Sequence, residues 1–195
     1  MNARIALVAA VSALALAVPV AQAAPGDNIA RLKVINISPD VDSDVPGLDV
    51  DDATTAEIGL THFLTGNWAV DFGISYAKHD VTLGGGNAGS AKLVPVNLIA
   101  QYHFMPEGQW RPYVGAGVNY THFDKVDIAG GTVGLEKDRF GPVIQAGLDV
   151  PVSNTAWSFN ADVKKVWLST DASGAASGNV DLDPWIFGVG VGYKF

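Results

Sequence analysis

Trp68–Ala69–Val70–Asp71–Phe72–Gly73–Ile74–Ser75–Tyr76–Ala77 alternates from end to end. Trp68, Val70, Phe72, Ile74 and Tyr76 are apolar or aromatic, while Asp71, Gly73, Ser75 and Ala77 are small or polar. A β-strand sends successive side chains to opposite faces, so this stretch has one oily face and one lean one. The terminal stretch repeats the design, with Trp185, Phe187, Val189, Val191, Tyr193 and Phe195 set against Gly188, Gly190, Gly192 and Lys194. A soluble sandwich also alternates. Here, however, the oily faces carry aromatic rings near their ends, as strands do when they cross a bilayer and anchor at both interfaces.

The pattern extends outward from these two stretches. Val94, Val96, Leu98, Ala100, Tyr102 and Phe104 oppose Pro95, Asn97, Gln101 and His103. Val114, Ala116, Val118 and Tyr120 oppose Arg111, Tyr113, Gly115, Gly117, Asn119 and Thr121. Phe140, Ile144, Ala146, Leu148 and Val150 oppose Gly141, Gln145, Gly147 and Asp149. Trp157, Phe159, Ala161, Val163 and Trp167 oppose Asn160, Asp162 and Lys164. Thr55 to Phe63 sets Ile58 and Leu60 against Glu57. Ile29 to Ile37 is less regular: Leu32 and Val34 share a face, while Ile35 and Ile37 imply a shift, which a bulge would produce. These eight segments predict an all-β fold, an eight-stranded antiparallel transmembrane β-barrel. Connectors alternate in length, which fits short periplasmic turns and longer extracellular loops. The short ones are 64–67, 105–110 and 151–155; the long ones are 38–54, 79–91, 123–138 and 169–183. The long connectors are rich in Gly, Asp and Ser and read as mobile.

Composition agrees. Mean hydropathy is +0.21 despite 22 glycines, so apolar residues are many but dispersed. There is no cysteine, and the net charge is −8, which speaks against nucleic acid as a partner. Residues 1–23 form a separate unit. Arg4 is followed by an apolar run from Ile5 to Val20 and by Ala21–Gln22–Ala23. A basic start, an apolar middle and a small-residue exit describe a cleaved signal peptide; the alternative is a retained anchor, for which the run is short. The domains are then 1–23, the leader, and 24–195, the barrel.

Arg111–Pro112–Tyr113–Val114–Gly115–Ala116–Gly117–Val118–Asn119–Tyr120 resembles the OmpW family signature. So do Gln101–Tyr102–His103–Phe104, Asn160–Ala161–Asp162–Val163, Asp181–Leu182–Asp183–Pro184–Trp185 and Gly192–Tyr193–Lys194–Phe195, in that family's order. The resemblance extends over nearly the whole chain after residue 23. It implies a Gram-negative outer-membrane barrel for passive uptake of small hydrophobic molecules, which leave sideways through the wall. The alternative is a non-conducting structural or interaction barrel acting through its outer loops. Family members with a hydrophobic constriction place bulky apolar side chains on the third and seventh strands; Gly73 and Lys164 stand there in this chain.

Pro95 and Pro142 interrupt strand patterns, and proline cannot donate to a ladder. Each is a candidate lateral opening or a tolerated bulge. Glu57, Asp71, Arg111, Asp149, Asp162, Lys164 and Lys194 point inward with both signs. A lumen of eight strands is just filled by side chains, so these charges, with Gly73, form a plug or else line a polar path. Val191, Tyr193 and Phe195 at the end of the chain resemble the signal read by the outer-membrane assembly machinery. Val41, Val45, Leu48, Val81, Leu83, Val126, Ile128, Val133 and Leu135 would make an apolar entrance. The acidic run Asp40, Asp42, Asp44, Asp49, Asp51 and Asp52 lacks a calcium-loop spacing, and His62, His79, His103 and His122 are scattered. Neither a metal or other cofactor nor an enzymatic activity is expected. The partners expected are outer-membrane lipid, hydrophobic solutes and the assembly machinery.

Overall fold

The computed structural model describes residues 24–43, 47–128, 133–135, 138–174 and 178–195. The leader 1–23, with Asp44 and Val45, lies outside the described residues. The strands in chain order are β1 (Asn28–Ser38), β2 (Asp42–Ser43), β3 (Leu48–Val50), β4 (Ala53–Phe63), β5 (Trp68–Ser75), β6 (Ala77–Leu83) and β7 (Gly86–His103). They continue with β8 (Arg111–Ile128), β9 (Val133–Leu135), β10 (Asp138–Pro151), β11 (Trp157–Val166), β12 (Ser169–Gly174), β13 (Gly178–Asp181) and β14 (Trp185–Lys194). Eight of them, β1, β4, β5, β7, β8, β10, β11 and β14, form the wall, each antiparallel to its neighbour. β1 returns to β14 over Ile29↔Lys194 to Ser38↔Trp185, and this pairing closes the ring. Closure matters in a membrane, because an open edge would leave backbone groups unpaired in hydrocarbon.

The alternation seen in the sequence is carried into space. Leu98, Phe187 and Val189 are about half exposed on the outside, while Ile99, Asn97 and Gln101 are buried within. Rings mark both edges of the apolar band. Near the short turns lie Trp68, Tyr102 and Phe104, stacked edge to face in succession at 5.1 and 5.2 Å, and Trp157 against Tyr193 at 5.0 Å. At the other edge lie Tyr76, Trp167 and Trp185, with Tyr120 against Phe140 at 4.8 Å. The short turns, the start of β1 and the end of β14 share one side; Asn28 and Phe195 exchange backbone hydrogen bonds of 3.1 and 2.9 Å there. By the usual topology of such barrels that side is periplasmic.

Two expectations need correction. β1 has no bulge: its pairing with β4 and β14 is continuous and its burial alternates throughout. Ile35 and Ile37 are apolar because they face an apolar part of the lumen, not because the strand turns over. The long connectors are also largely strand. β6 pairs with β7, and β7 with β8, well past the aromatic edge, and Gly84 and Gly85, with φ of 60° and 81°, make the tight turn between β6 and β7. β9, β12, β13, β2 and β3 extend this collar.

Candidate functional site

The lumen is layered from bottom to top. At the periplasmic end Ile29, Phe63 and Ala69 form an apolar floor, with the His103 ring 4.8 Å from that of Phe63. Above it Arg31 on β1 grips Asp149 on β10 with both terminal nitrogens, at 2.5 and 3.0 Å. Its Nε donates to Thr61 at 2.9 Å, and the Thr61 hydroxyl donates to Asp71 at 2.6 Å. Asn160 donates to Asp149 at 2.8 Å and to the Tyr113 hydroxyl at 3.0 Å. Tyr113 is stacked on His103 at 4.9 Å and lies beneath Arg31. Gly147 makes room for this ring, since a Cβ there would strike the Tyr113 phenol.

The next layer holds two lysines and two carboxylates. Lys33 on β1 lies 2.5 Å from Glu57 and 3.3 Å from Asp162; Lys164 on β11 lies 3.0 Å and 2.9 Å from the same two. Gln145 donates to Asp162 at 2.7 Å and accepts from Gln101 at 2.8 Å. Nearly every side chain here is buried, and each cation has two anions to answer it. Burying charge is tolerable only when it is paired and hydrogen-bonded in this way. Gly73 faces this layer: a Cβ there would lie 3.3 Å from the Glu57 carboxyl carbon. Lys164 of the seventh wall strand thus pairs across the lumen with Glu57 of the second, whose carboxyl lies over the glycine of the third.

Above the charges the lining changes. Asn119 bridges Asn97 at 2.9 Å and accepts from Thr121 at 2.8 Å. Then Ile35, Ile37, Ala53, Ala77, Ile99, Val143, Val166, Leu168 and Ile186 line the wall, with Leu93 and Leu182 packed on them. Part of this lining borders a small bowl, open on one side, that touches Ile37, Pro39, Val50, His79, Leu93, Pro95, Val166, Leu168, Leu182, Pro184 and Ile186, with Asn119 and Thr121 beneath.

Pro95 is buried and faces this bowl. Pairing of β5 with β7 stops at Ile74↔Val96, and pairing of β6 with β7 begins at Ala77↔Leu93. Ser75 and Tyr76 therefore face Val94 and Pro95 with no bridge between them. On its other side the third wall strand is bridged to β4 only as far as Glu57↔Ser75. Beyond that, the Thr55 hydroxyl reaches the Tyr76 carbonyl at 2.7 Å. The wall is thus unstitched on both sides of Tyr76. Pro142 differs: it faces outward, and its carbonyl takes the Trp167 N–H at 3.1 Å, so β10 and β11 stay joined.

The inward charges of the sequence do not all join these charged layers. Glu57, Asp71, Asp149, Asp162 and Lys164 belong to them. Arg111 sits at the periplasmic mouth, where its Nε donates to the Gly108 carbonyl at 3.1 Å. Lys194 pairs with Asp27 at 3.2 Å on the same rim. Arg31 and Lys33, central to both charged layers, were not among the residues singled out. The outward pair Leu32 and Val34 requires them inside, but the supposed bulge in β1 hid it. Val81 is buried in the collar, and Val41 is half-buried. The side chains of Leu48, Leu83, Val126, Ile128, Val133 and Leu135 lie outside the described residues.

The OmpW family model matches residues 14–195. An uncharacterized outer-membrane protein, y4mB of Sinorhizobium fredii, is 37% identical over 163 residues, which are 77% of this chain and 71% of that protein. The dibenzothiophene metabolism operon protein PahQ of Pseudomonas aeruginosa is 34% identical over 121 residues, 58% of this chain and 56% of its own. The crystal structure of the outer membrane protein OprG from Pseudomonas aeruginosa superposes with a TM-score of 0.81 at 27% identity, over 89% of this chain and 98% of that one. Closed wall, aromatic edges and family model agree: the chain belongs to the OmpW family and is a Gram-negative outer-membrane barrel.

Proposed function

We propose that the barrel carries small hydrophobic molecules from outside, through the apolar bowl, and sideways into the membrane at the unstitched wall beside Tyr76 and Pro95. The observation that carries this reading is a coincidence of place. The bowl reaches Pro95, and Pro95 is where pairing between β5/β6 and β7 lapses. Below the bowl the paired charges fill the lumen, so an apolar solute gains nothing by going down. Sideways lies hydrocarbon, which solvates it better than water does. The kinship with a dibenzothiophene metabolism operon protein supports a small apolar cargo. Glu57, Asp71, Asp149, Asp162 and Lys164, bedded on Gly73, act in this reading as the plug that turns the solute, and Pro142 takes no part.

Two further assignments complete the reading. Val191, Tyr193 and Phe195 serve as the assembly signal; their outward alternation at the closing seam supports it. Residues 1–23 are removed on export.

Pro95→Val tests the route. The new N–H lets the local ladder close. Uptake of naphthalene into vesicles should fall, while the heat-dependent gel shift of the folded barrel holds. Small-ion conductance should be low in both forms. Unchanged uptake would remove Pro95 from the mechanism. Steady ion conductance in the parent without naphthalene uptake would favour a polar pore, and neither activity would favour a structural barrel.

A further inference from the structure

Outside the lumen, basic residues are unevenly placed. Among the described residues, the basic side chains on the outward face are Lys78, Lys92 and Lys165, and all lie at the extracellular end. Two of them are directly opposed: Lys78 on β6 is in register with Lys92 on β7. Residues opposed in this way stand about 5 Å apart, and like charges so placed repel. Two neighbouring strands thus set lysine beside lysine. Lys78 is partly answered by Asp80 at 3.0 Å, but both are half exposed, and such a pair is easily exchanged. Lys92 makes no ion pair with a described residue.

The height of the pair decides what can answer it. Lys78 lies two residues above Tyr76, whose exposed ring marks the outer edge of the apolar band. Opposite Tyr76 stand Val94 and, across from that, His122. The pair is therefore one step above the hydrocarbon, at the level of lipid headgroups. Basic side chains at that level attract anionic headgroups, and each contributes appreciably. The outer leaflet of a Gram-negative outer membrane consists of a glycolipid bearing phosphate monoesters. We propose that the pair Lys78 and Lys92 is a docking site for the phosphates of this outer-leaflet glycolipid. A soluble anion could use the same ammonium groups, but the acyl chains of the lipid also have the apolar wall of β5 and β7 beneath them to pack on. That wall includes Phe72, Ile74 and Leu98.

Binding to the folded full-length barrel can be followed by native mass spectrometry with three probes: bisphosphorylated lipid A, the same lipid with its phosphates removed, and inorganic phosphate. The lipid should bind saturably, and Lys78→Gln/Lys92→Gln should weaken it on the order of tenfold. Both proteins must show the heat-dependent gel shift of a folded barrel. The dephosphorylated lipid should bind the parent no better than it binds the double variant, and inorganic phosphate should not saturate at millimolar concentration. Equal binding of bisphosphorylated lipid A by parent and variant overturns the site. So does tight binding of the dephosphorylated lipid. Saturation by inorganic phosphate with the same lysine dependence assigns the pair to soluble anions instead.

Discussion

The lower and upper halves of the lumen are made by the same strands with the same alternation, yet they are opposite kinds of interior. Below, β1 offers Arg31 and Lys33; above, it offers Ile35 and Ile37. β11 likewise passes from Asn160, Asp162 and Lys164 to Val166. The lower half is filled and cross-linked by charge, whereas the upper half is aliphatic and opens into a small bowl. A wall strand therefore encodes two patterns at once. The period of two separates lipid from lumen, and a single change of character along the inner face separates charged layers from aliphatic lining.

The comparison is broken most severely by removing one anion from the lower half. Asp162→Ala leaves Lys33 and Lys164 to share Glu57 alone and strips Gln145 of its acceptor. Leaving a buried charge unanswered costs about 3–5 kcal/mol, so the urea midpoint in lipid vesicles should drop sharply. Small-ion conductance should rise as water enters to solvate the stranded lysines. A loss well below that range would show that the lower lumen is already wet. In the upper half Ile186→Ala should cost about 2 kcal/mol, at the low end for such a truncation, because the side chain borders an existing space. Uptake should be preserved or increased. A cost as large as that of the lost carboxylate would mean that the bowl is packed as tightly as a soluble core.

The smallest effect is a dependence on pH. His79 stands in the collar above the aromatic edge, with Nδ1 2.8 Å from the Asp51 carbonyl. Burial lowers its pKa from the ordinary value, so the folded state favours the neutral ring. The stability it lends is full above the pKa of the unfolded chain, about 6.5, and is lost as pH falls from there through the lowered folded value. His79→Gln should flatten the thermal midpoint between neutral and mildly acidic pH. An unaltered slope would place its origin in other groups.

The barrel was legible because lipid imposes a rule on every second residue, as in Trp68 to Ala77. The charged layers were legible in part, since an inward Asp149 or Lys164 is conspicuous among small residues. Arg31 and Lys33 escaped because the aliphatic lining of the upper bowl, Ile35 and Ile37, imitates a lipid face and suggests a shift in register. The length of β6, β7 and β8 beyond the membrane escaped because Gly, Asp and Ser read as loop wherever no lipid enforces alternation. The lapse at Tyr76 is a matter of which strands meet where. Pro95 hinted at it, but only the pairing of β5 and β6 with β7 locates it.

The charged layers also constrain how the cylinder is sewn shut. β14 meets β1 with glycine at 188, 190 and 192, opposite Ile35, Lys33 and Arg31, and a Cβ at Gly190 would come within 2.6 Å of the Lys33 Cα. Glycines read almost alike, so this seam by itself tells one alignment poorly from another. A slip of one residue throws both cations into hydrocarbon. A slip of two spares the faces but carries Arg31 away from Asp149 on β10, or Lys33 from Asp162 on β11, if the rest of the ring is in place. The ions thus act as an error-detecting code for the final stitch: β14 supplies a blank edge, and strands that never touch β1 along its ladder hold the checksum.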